Sequence, residues 1–331
     1  MRVLVTGSAG FIGHHTCDRL LRDGHTVTGI DNYSPYYDVA LKKARTEHLS
    51  RYDGFRCEHV DLGDRAALSL VFKDAAPDIV IHLAAQAGVR HSLDQPSPYI
   101  DANVTGTFNL LEQLRTHPVD HFLAASTSSV YGADTPLPFR ETATTKSPVS
   151  IYAATKLSAE QLGHTYSHLF NIPTTYCRFF STYGPWNRPD LALSVFTGAI
   201  LNDASIDVYN HGEMARDFTF IDDLVEALMR LIAVRPEERQ SEHDSLSAVA
   251  PFRTVNIGRG QGVSIRDLIS ELEAALGKTV QKNYLPKRPG EILRTEASTD
   301  LLKALTGFVP QTPLKTGLPF FVDWYRQYHG R

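Results

Sequence analysis

Along the first half of the chain, short runs of aliphatic and β-branched residues alternate with segments of helical period. Residues 2–6 read as an apolar strand, and a helical pattern follows over 11–23. Residues 26–30, 55–59, 78–83 and 121–126 read as further strands, the third the least apolar. Several of these runs are apolar at successive positions, which suits strands covered on both faces. Strands alternating with helices predict an α/β fold, a Rossmann-type doubly wound parallel sheet with right-handed crossovers. Ligands of such sheets bind beyond the C-terminal strand ends.

After about residue 180 the rhythm changes. Pro185, Pro189 and a run of glycines and aromatics interrupt the pattern. A helix is predicted over 221–233, a strand over 254–258 and a helix over 264–276 with Gly277 as its C-cap. Residues 235–251 are polar and aperiodic, and read as a solvated surface loop. The organisation expected is a domain over 1–180 and a smaller α/β domain over 181–331, with segments near 217–260 returning to the first.

Composition narrows the function. Of 331 residues, 42% are apolar and 21% charged, a soluble globular balance. Lys and Arg number 33 against 37 Asp and Glu, a net charge of −4, so nucleic acid is not an expected partner. No apolar run approaches the ~20 residues needed to span a membrane. The N-terminus lacks the pattern of a signal peptide, so the fold is expected to begin at Met1. Cys17, Cys57 and Cys177 are odd in number and lack CxxC spacing, which points to a cytoplasmic protein without disulfides. The 14 histidines are scattered, and no metal site is expected.

The candidate chemistry begins at the first strand end. Gly7, Gly10 and Gly13 form GxxGxxG between a strand and a helix, with Phe11 and Ile12 inside the motif. Glycines allow a tight turn and close approach of backbone to a pyrophosphate, which the helix N-terminus then holds. Asp31 closes the second strand 18 residues past Gly13, suited to the ribose hydroxyls of an adenosine, with Asn32 beside it. A carboxylate there repels a 2′-phosphate, so NAD is expected rather than NADP. Asp61-Leu62 and Leu83-Ala84-Ala85-Gln86 follow the third and fourth strands and fit the same ligand.

Ser147-Pro148 reads as an N-cap followed by proline at the first helical position. Tyr152 and Lys156 then share one helix face. A free phenol titrates near 10, and a neighbouring ammonium favours its phenolate, bringing it toward use as a base. Alone, such a pair more commonly faces solvent; with the glycine loop and Asp31 in order it reads as catalytic.

Several long segments carry a resemblance: GIDNYSPYYDVALKKAR (29–45), HLAAQAGVRHSL (82–93), ASTSSVYG (125–132), SIYAATK (150–156), RFFSTYGPWNRPDLAL (178–193) and RDFTFIDD (216–223). The chain resembles the extended short-chain dehydrogenase/reductase superfamily over essentially its full length, and within it the nucleotide-sugar epimerases that act on UDP-glucuronate. The resemblance implies a triad of Thr127, Tyr152 and Lys156. Tyr152 would take the O4 proton while C4 gives hydride to NAD, and a 4-keto sugar would turn before hydride returns. Related 4,6-dehydratases place Asp-Glu after the threonine, and related decarboxylases place Glu second. Here Ser128-Ser129 carries no carboxylate, which argues for epimerisation; the two hydroxyls could bond a uronate carboxylate, cap backbone groups, or both.

The resemblance also implies Arg188 and Arg216 on the nucleotide, and Arg288 where galactose epimerases keep a phosphate arginine. Ser181 stands where close relatives have Thr. Arg90 and Tyr209 are further substrate-side positions, and Asn103, Phe179 and Tyr183 are cofactor or pocket walls. Such relatives are commonly homodimers, and the helices at 99–116 and 150–170 are the candidates for that contact. The alternatives are a UDP-glucuronate decarboxylase, a 4-epimerase of a neutral UDP-hexose, and a non-catalytic NAD-binding regulator.

Overall fold

The computed structural model describes residues 1–287 and 292–330. The strands are β1 (Arg2–Thr6), β2 (Thr26–Asp31), β3 (Phe55–His59), β4 (Ile79–His82), β5 (His121–Thr127), β6 (Thr174–Phe179), β7 (Ser181–Tyr183), β8 (Ile206–Tyr209), β9 (Ala215–Phe220), β10 (Phe252–Ile257), β11 (Gly262–Ser264) and β12 (Lys282–Leu285). Seven of them form one sheet in the order β10–β6–β5–β4–β1–β2–β3. Every pairing in it is parallel. β10 joins its edge from far along the chain, running from Phe252 beside Thr174 to Ile257 beside Phe179.

Both faces of this sheet are covered, which explains the unbroken apolar runs. Val3, Val5, Ile79, Ile81 and Leu123 belong to one core, with Leu20, Leu224 and Leu228 from the covering helices. Leu4, Val80 and Phe122, one residue out of phase, belong to the other, with Leu110, Leu114 and Phe72. The helix Ile221–Ile232 buries Ile221, Leu224, Val225, Leu228, Leu231 and Ile232, a stripe at spacings of three and four.

Smaller sheets lie beyond the large one. β9 pairs in parallel with β7 and antiparallel with β11, and β12 pairs with β8. No helix among the described residues is long and apolar enough to cross a membrane.

Three expectations need correction. The helix carrying Tyr152 spans Ile151–Phe170, and its cap is Ser150, whose hydroxyl accepts from Ala153 N–H at 3.1 Å. Ser147-Pro148 stays outside it, and the Ser147 carbonyl packs against Gly132, where a Cβ would meet it at 2.3 Å. The helix expected over 99–116 is interrupted: a π-turn, Ile100–Thr105, precedes the regular helix Gly106–Thr116. The 235–251 segment has no regular element, but it is not all solvated. Asp244 is buried within it and takes two hydrogen bonds from the buried Arg253, at 2.9 and 3.1 Å.

Candidate active site

The strand order reverses at β1, which has β2 on one side and β4 on the other, so their C-terminal loops open a crevice. The two loops are tied together. Leu83 N–H donates to the Thr6 carbonyl at 3.1 Å, and Ala84 N–H donates to the Thr6 hydroxyl at 3.2 Å. A cleft of about 1640 Å³ runs from there across to β8 and β9.

The glycine loop sits at the cleft's inner end. Gly7 has φ +73°, and a Cβ on it would come within 2.7 Å of Ala84 N; one on Gly13 would lie 2.0 Å from the Gly7 carbonyl. These positions accept glycine alone, and they hold the loop against the start of the helix Phe11–Arg22. Gly10 caps that helix without a side-chain hydrogen bond, leaving its first N–H groups for an anion. Asp31 is buried at the end of β2, accepting from Ala9 N–H at 3.0 Å and Tyr33 N–H at 2.8 Å. A carboxylate has lone pairs beyond those two. Asn32 donates to Asp61 at 2.7 Å, which joins the ends of β2 and β3. Gln86 reaches the cleft with its side chain buried. A tight glycine turn, an open helix N-terminus and a second-strand carboxylate together suit a dinucleotide.

Tyr152, Lys156, Thr127, Ser128 and Ser129 meet on the same cleft. Thr127 ends β5 and caps the following turn by accepting from Ser129 N–H at 3.2 Å; its hydroxyl lies 3.2 Å from that of Ser129. The threonine, rather than the serines, therefore does the capping. Burial pushes the Tyr152 phenol above its usual value, against a hydrogen bond with Thr127 and the charge of Arg188, which pull it down. The expected lowering comes from Thr127 and Arg188 rather than from Lys156, and burial outweighs it; burial acts on the lysine as well. It brings Lys156 down to about 8, opposed by the charge of Glu160.

Arg90, Ser181, Arg188, Tyr209, Arg216, Phe179 and Tyr183 also line the cleft. Arg90 lies over the Tyr209 ring, its guanidinium 5.5 Å from the centroid, so the loop after β4 meets β8. Arg188 is engaged by Asp190 at 3.0 and 2.5 Å, and the Tyr36 hydroxyl donates to the same carboxylate at 3.2 Å. Burial works against the Arg188 charge, but Asp190 outweighs it and raises the guanidinium. Arg216 donates to the Ala215 carbonyl at 2.9 Å.

Two expected residues are placed differently. Asn103 is buried off the cleft wall. Its amide accepts from Gln86 N–H at 2.8 Å and donates to the Gln86 carbonyl at 3.0 Å, while also bonding Thr155. It clamps a cleft residue rather than lining the cleft. Arg288 lies outside the described residues.

Other residues escaped the sequence reading. Arg45 is wholly buried and donates to the Ala9 carbonyl at 3.0 Å and the Trp186 carbonyl at 2.5 Å, joining the glycine loop to the loop carrying Arg188. Asp217 is buried and accepts from the N–H groups of Arg259, Gly260 and Ala297, bracing the strand that carries Arg216. No local pattern marks either residue, since their partners lie far off in sequence.

A Rossmann sheet with these groups gathered at its switch point is that of a short-chain dehydrogenase/reductase. Residues 3–247 match the NAD dependent epimerase/dehydratase family, and the chain belongs to it. It is similar to the probable UDP-glucuronate 4-epimerase of Rhizobium meliloti (strain 1021), 48% identical over 100% of this chain and 98% of that protein. The solved UDP-glucuronic acid 4-epimerase of Bacillus cereus, in complex with UDP-glucuronic acid and NAD, is 34% identical with a TM-score of 0.89, covering 99% of this chain and 100% of that one. A tyrosine-to-phenylalanine mutant of that enzyme, in complex with UDP-4-deoxy-4-fluoro-glucuronic acid and NAD, superimposes with the same identity, coverage and TM-score.

Proposed function

We propose that this protein is an isomerase, an NAD-dependent 4-epimerase that interconverts UDP-glucuronate and UDP-galacturonate. The observation that carries the proposal is the turn after β5. It sets Thr127 against Tyr152 and places two serine hydroxyls, with no carboxylate, at the positions that follow. Tyr152 takes the proton from the sugar O4 and later returns it, with Thr127 positioning that oxygen. Lys156 holds a positive charge behind the phenol and bonds the cofactor's ribose. NAD, when bound, accepts hydride from C4 and gives it back to the other face of the 4-keto sugar.

Such a 4-keto uronate is a β-keto acid, prone to lose CO₂. Ser128, Ser129 and Ser181 suit its carboxylate as hydroxyl donors that add no negative charge. They hold it away from the alignment that decarboxylation needs. Arg188 and Arg216 take the diphosphate side, where guanidinium forks fit phosphate oxygens. Asp190 takes Nε and Nη2 of Arg188, which leaves N–H donors of the guanidinium for the ligand.

A finer organisation follows from the same reading. Residues to about 180, with the returning β10, hold NAD and the reacting groups, and most of the remainder holds the UDP-sugar. The chain is a homodimer, supported by apolar Ile151, Leu169 and Phe170 left exposed on the Ile151–Phe170 helix. Free Cys17, Cys57 and Cys177 support a cytoplasmic setting.

Turnover of a UDP-sugar panel tests the substrate. UDP-glucuronate should be converted at least about tenfold faster than UDP-glucose, as ~1.4 kcal/mol of carboxylate recognition would give. Faster turnover of UDP-glucose would remove the role assigned to the three serines.

A further inference from the structure

Behind the catalytic turn lies a buried ion pair that the reaction as described does not use. Glu160 sits one turn beyond Lys156 on the Ile151–Phe170 helix, and Arg178 lies on β6 beside Ser126 in the sheet register. Arg178 donates to Glu160 through Nε at 3.0 Å and Nη2 at 2.7 Å, and both side chains are buried. The Ser126 hydroxyl donates to the same carboxylate at 2.5 Å. The Arg178 guanidinium also lies 4.8 Å from the centre of the Tyr131 ring. Ser126 immediately precedes Thr127, and Tyr131 ends the turn that carries Ser128 and Ser129.

We infer that Glu160, locked by Arg178, is a positioning residue: it fixes the Ser126–Tyr131 segment that carries Thr127, and it supplies the negative charge that keeps the buried Lys156 an ammonium. The inference rests on the reading of Tyr152 and Lys156 as the reacting pair. Stability alone does not call for this arrangement, because well-packed apolar residues commonly replace a buried ion pair without loss. Geometry assigns the pair a second task. It touches both ends of the catalytic turn and stands a single helical turn from Lys156.

The charged and titratable groups around Lys156 bear this out. Tyr152 and Glu160 flank it on its own helix, and His82 approaches from β4. His82 is buried between the Thr6 and Thr107 hydroxyls, at 2.7 and 3.1 Å, and is held neutral by burial, its value lowered to about 3. Ser126 and Thr127 of β5, which line the same cleft, are neutral, and β6 brings the Arg178 guanidinium bonded to Glu160. Burial pulls the ammonium down, and Glu160 is the group that opposes this.

The test uses the full-length enzyme with NAD, after wild-type epimerisation of UDP-glucuronate has been established. No epimerisation by the wild type would sink the reading beneath this one. Glu160→Gln alone strands a buried guanidinium, so the double variant Glu160→Gln/Arg178→Met carries the test, with folding checked by its melting transition and by NAD binding. Its alkaline activity limit should move down by about one pH unit, with kcat at pH 8 reduced about fivefold and KM little changed. Glu160→Asp, which keeps the charge, should retain the wild-type limit. Ser126→Ala should lower kcat severalfold and leave the limit in place. A folded, NAD-binding double variant with an unmoved alkaline limit would overturn the proposal, as would a Glu160→Asp enzyme whose limit falls as far as the double variant's.

Discussion

At the residue scale, Tyr152 and Lys156 face opposite problems with one cause. Burial opposes the charged form of each, raising the phenol and lowering the ammonium to about 8. The base therefore depends on its neighbours, the Thr127 hydrogen bond and nearby positive charge. Tyr152→Phe removes the proton acceptor and should lower kcat by about 10²–10⁴-fold while NAD still binds, as calorimetry would show. Unimpaired turnover would remove Tyr152 from the role. The Lys156 ammonium is lost as pH rises through about 8, so kcat should fall above that value in a pH–rate profile. An activity that keeps rising to pH 10 would contradict it.

At the element scale, the strands were legible where a run was apolar and bounded by turns. β1 and β3 begin and end at the expected residues, and β2 and β5 extend one further. The caps were less legible. Ser147-Pro148 carries the pattern expected of the cap, whereas Ser150 caps the helix through Ala153 N–H. Asn103 shows a second limit: its residue type suits a cofactor contact, but the π-turn directs it to the Gln86 backbone. The cleft-lining residues that spacing picked out are those set by backbone geometry, the glycines, Asp31 and the Tyr152–Lys156 face. Glu160, Arg178 and Arg45 act through partners distant in sequence, so no motif announces them.

Two predictions belong to this scale. Gly13→Ala would drive a methyl into the Gly7 carbonyl, so the loop must shift and NAD affinity should fall at least about tenfold by titration. Retained affinity would mean the loop does not hold the cofactor. Glu141, buried beneath β10, accepts from Asn256 N–H at 2.9 Å, and burial raises its carboxyl from 4.5 to about 7. Its folded value exceeds the free one, so its contribution to stability is full below pH 4.5 and lost as pH rises through 7. Glu141→Gln should then be more stable than the wild type at pH 8, on the order of 1 kcal/mol, with the difference closing toward pH 4.5 in thermal melts. A variant less stable at pH 8 than at pH 5, relative to wild type, would contradict the assignment.

At the scale of the whole molecule, a chain of net charge −4 gathers Arg90, Arg188 and Arg216 around one cleft. Global charge predicted no polyanion partner, and in the cleft these arginines share the lining with six aspartates, so an anion would be met by placed guanidinium groups rather than by a net positive field. The cleft also unites distant parts of the chain, because Arg45 ties the glycine loop to the loop bearing Arg188. Ligands that bind only the folded state raise its melting temperature. NAD should therefore raise it by several degrees, whereas NADP should not if the Asp31 carboxylate meets the adenosine ribose as proposed. Equal stabilisation by both would contradict that role for Asp31.

The most direct measurement is proton NMR of the purified protein acting on UDP-glucuronate. The account predicts UDP-galacturonate as the product, with the carboxylate retained. A UDP-pentose formed with release of CO₂ would contradict it.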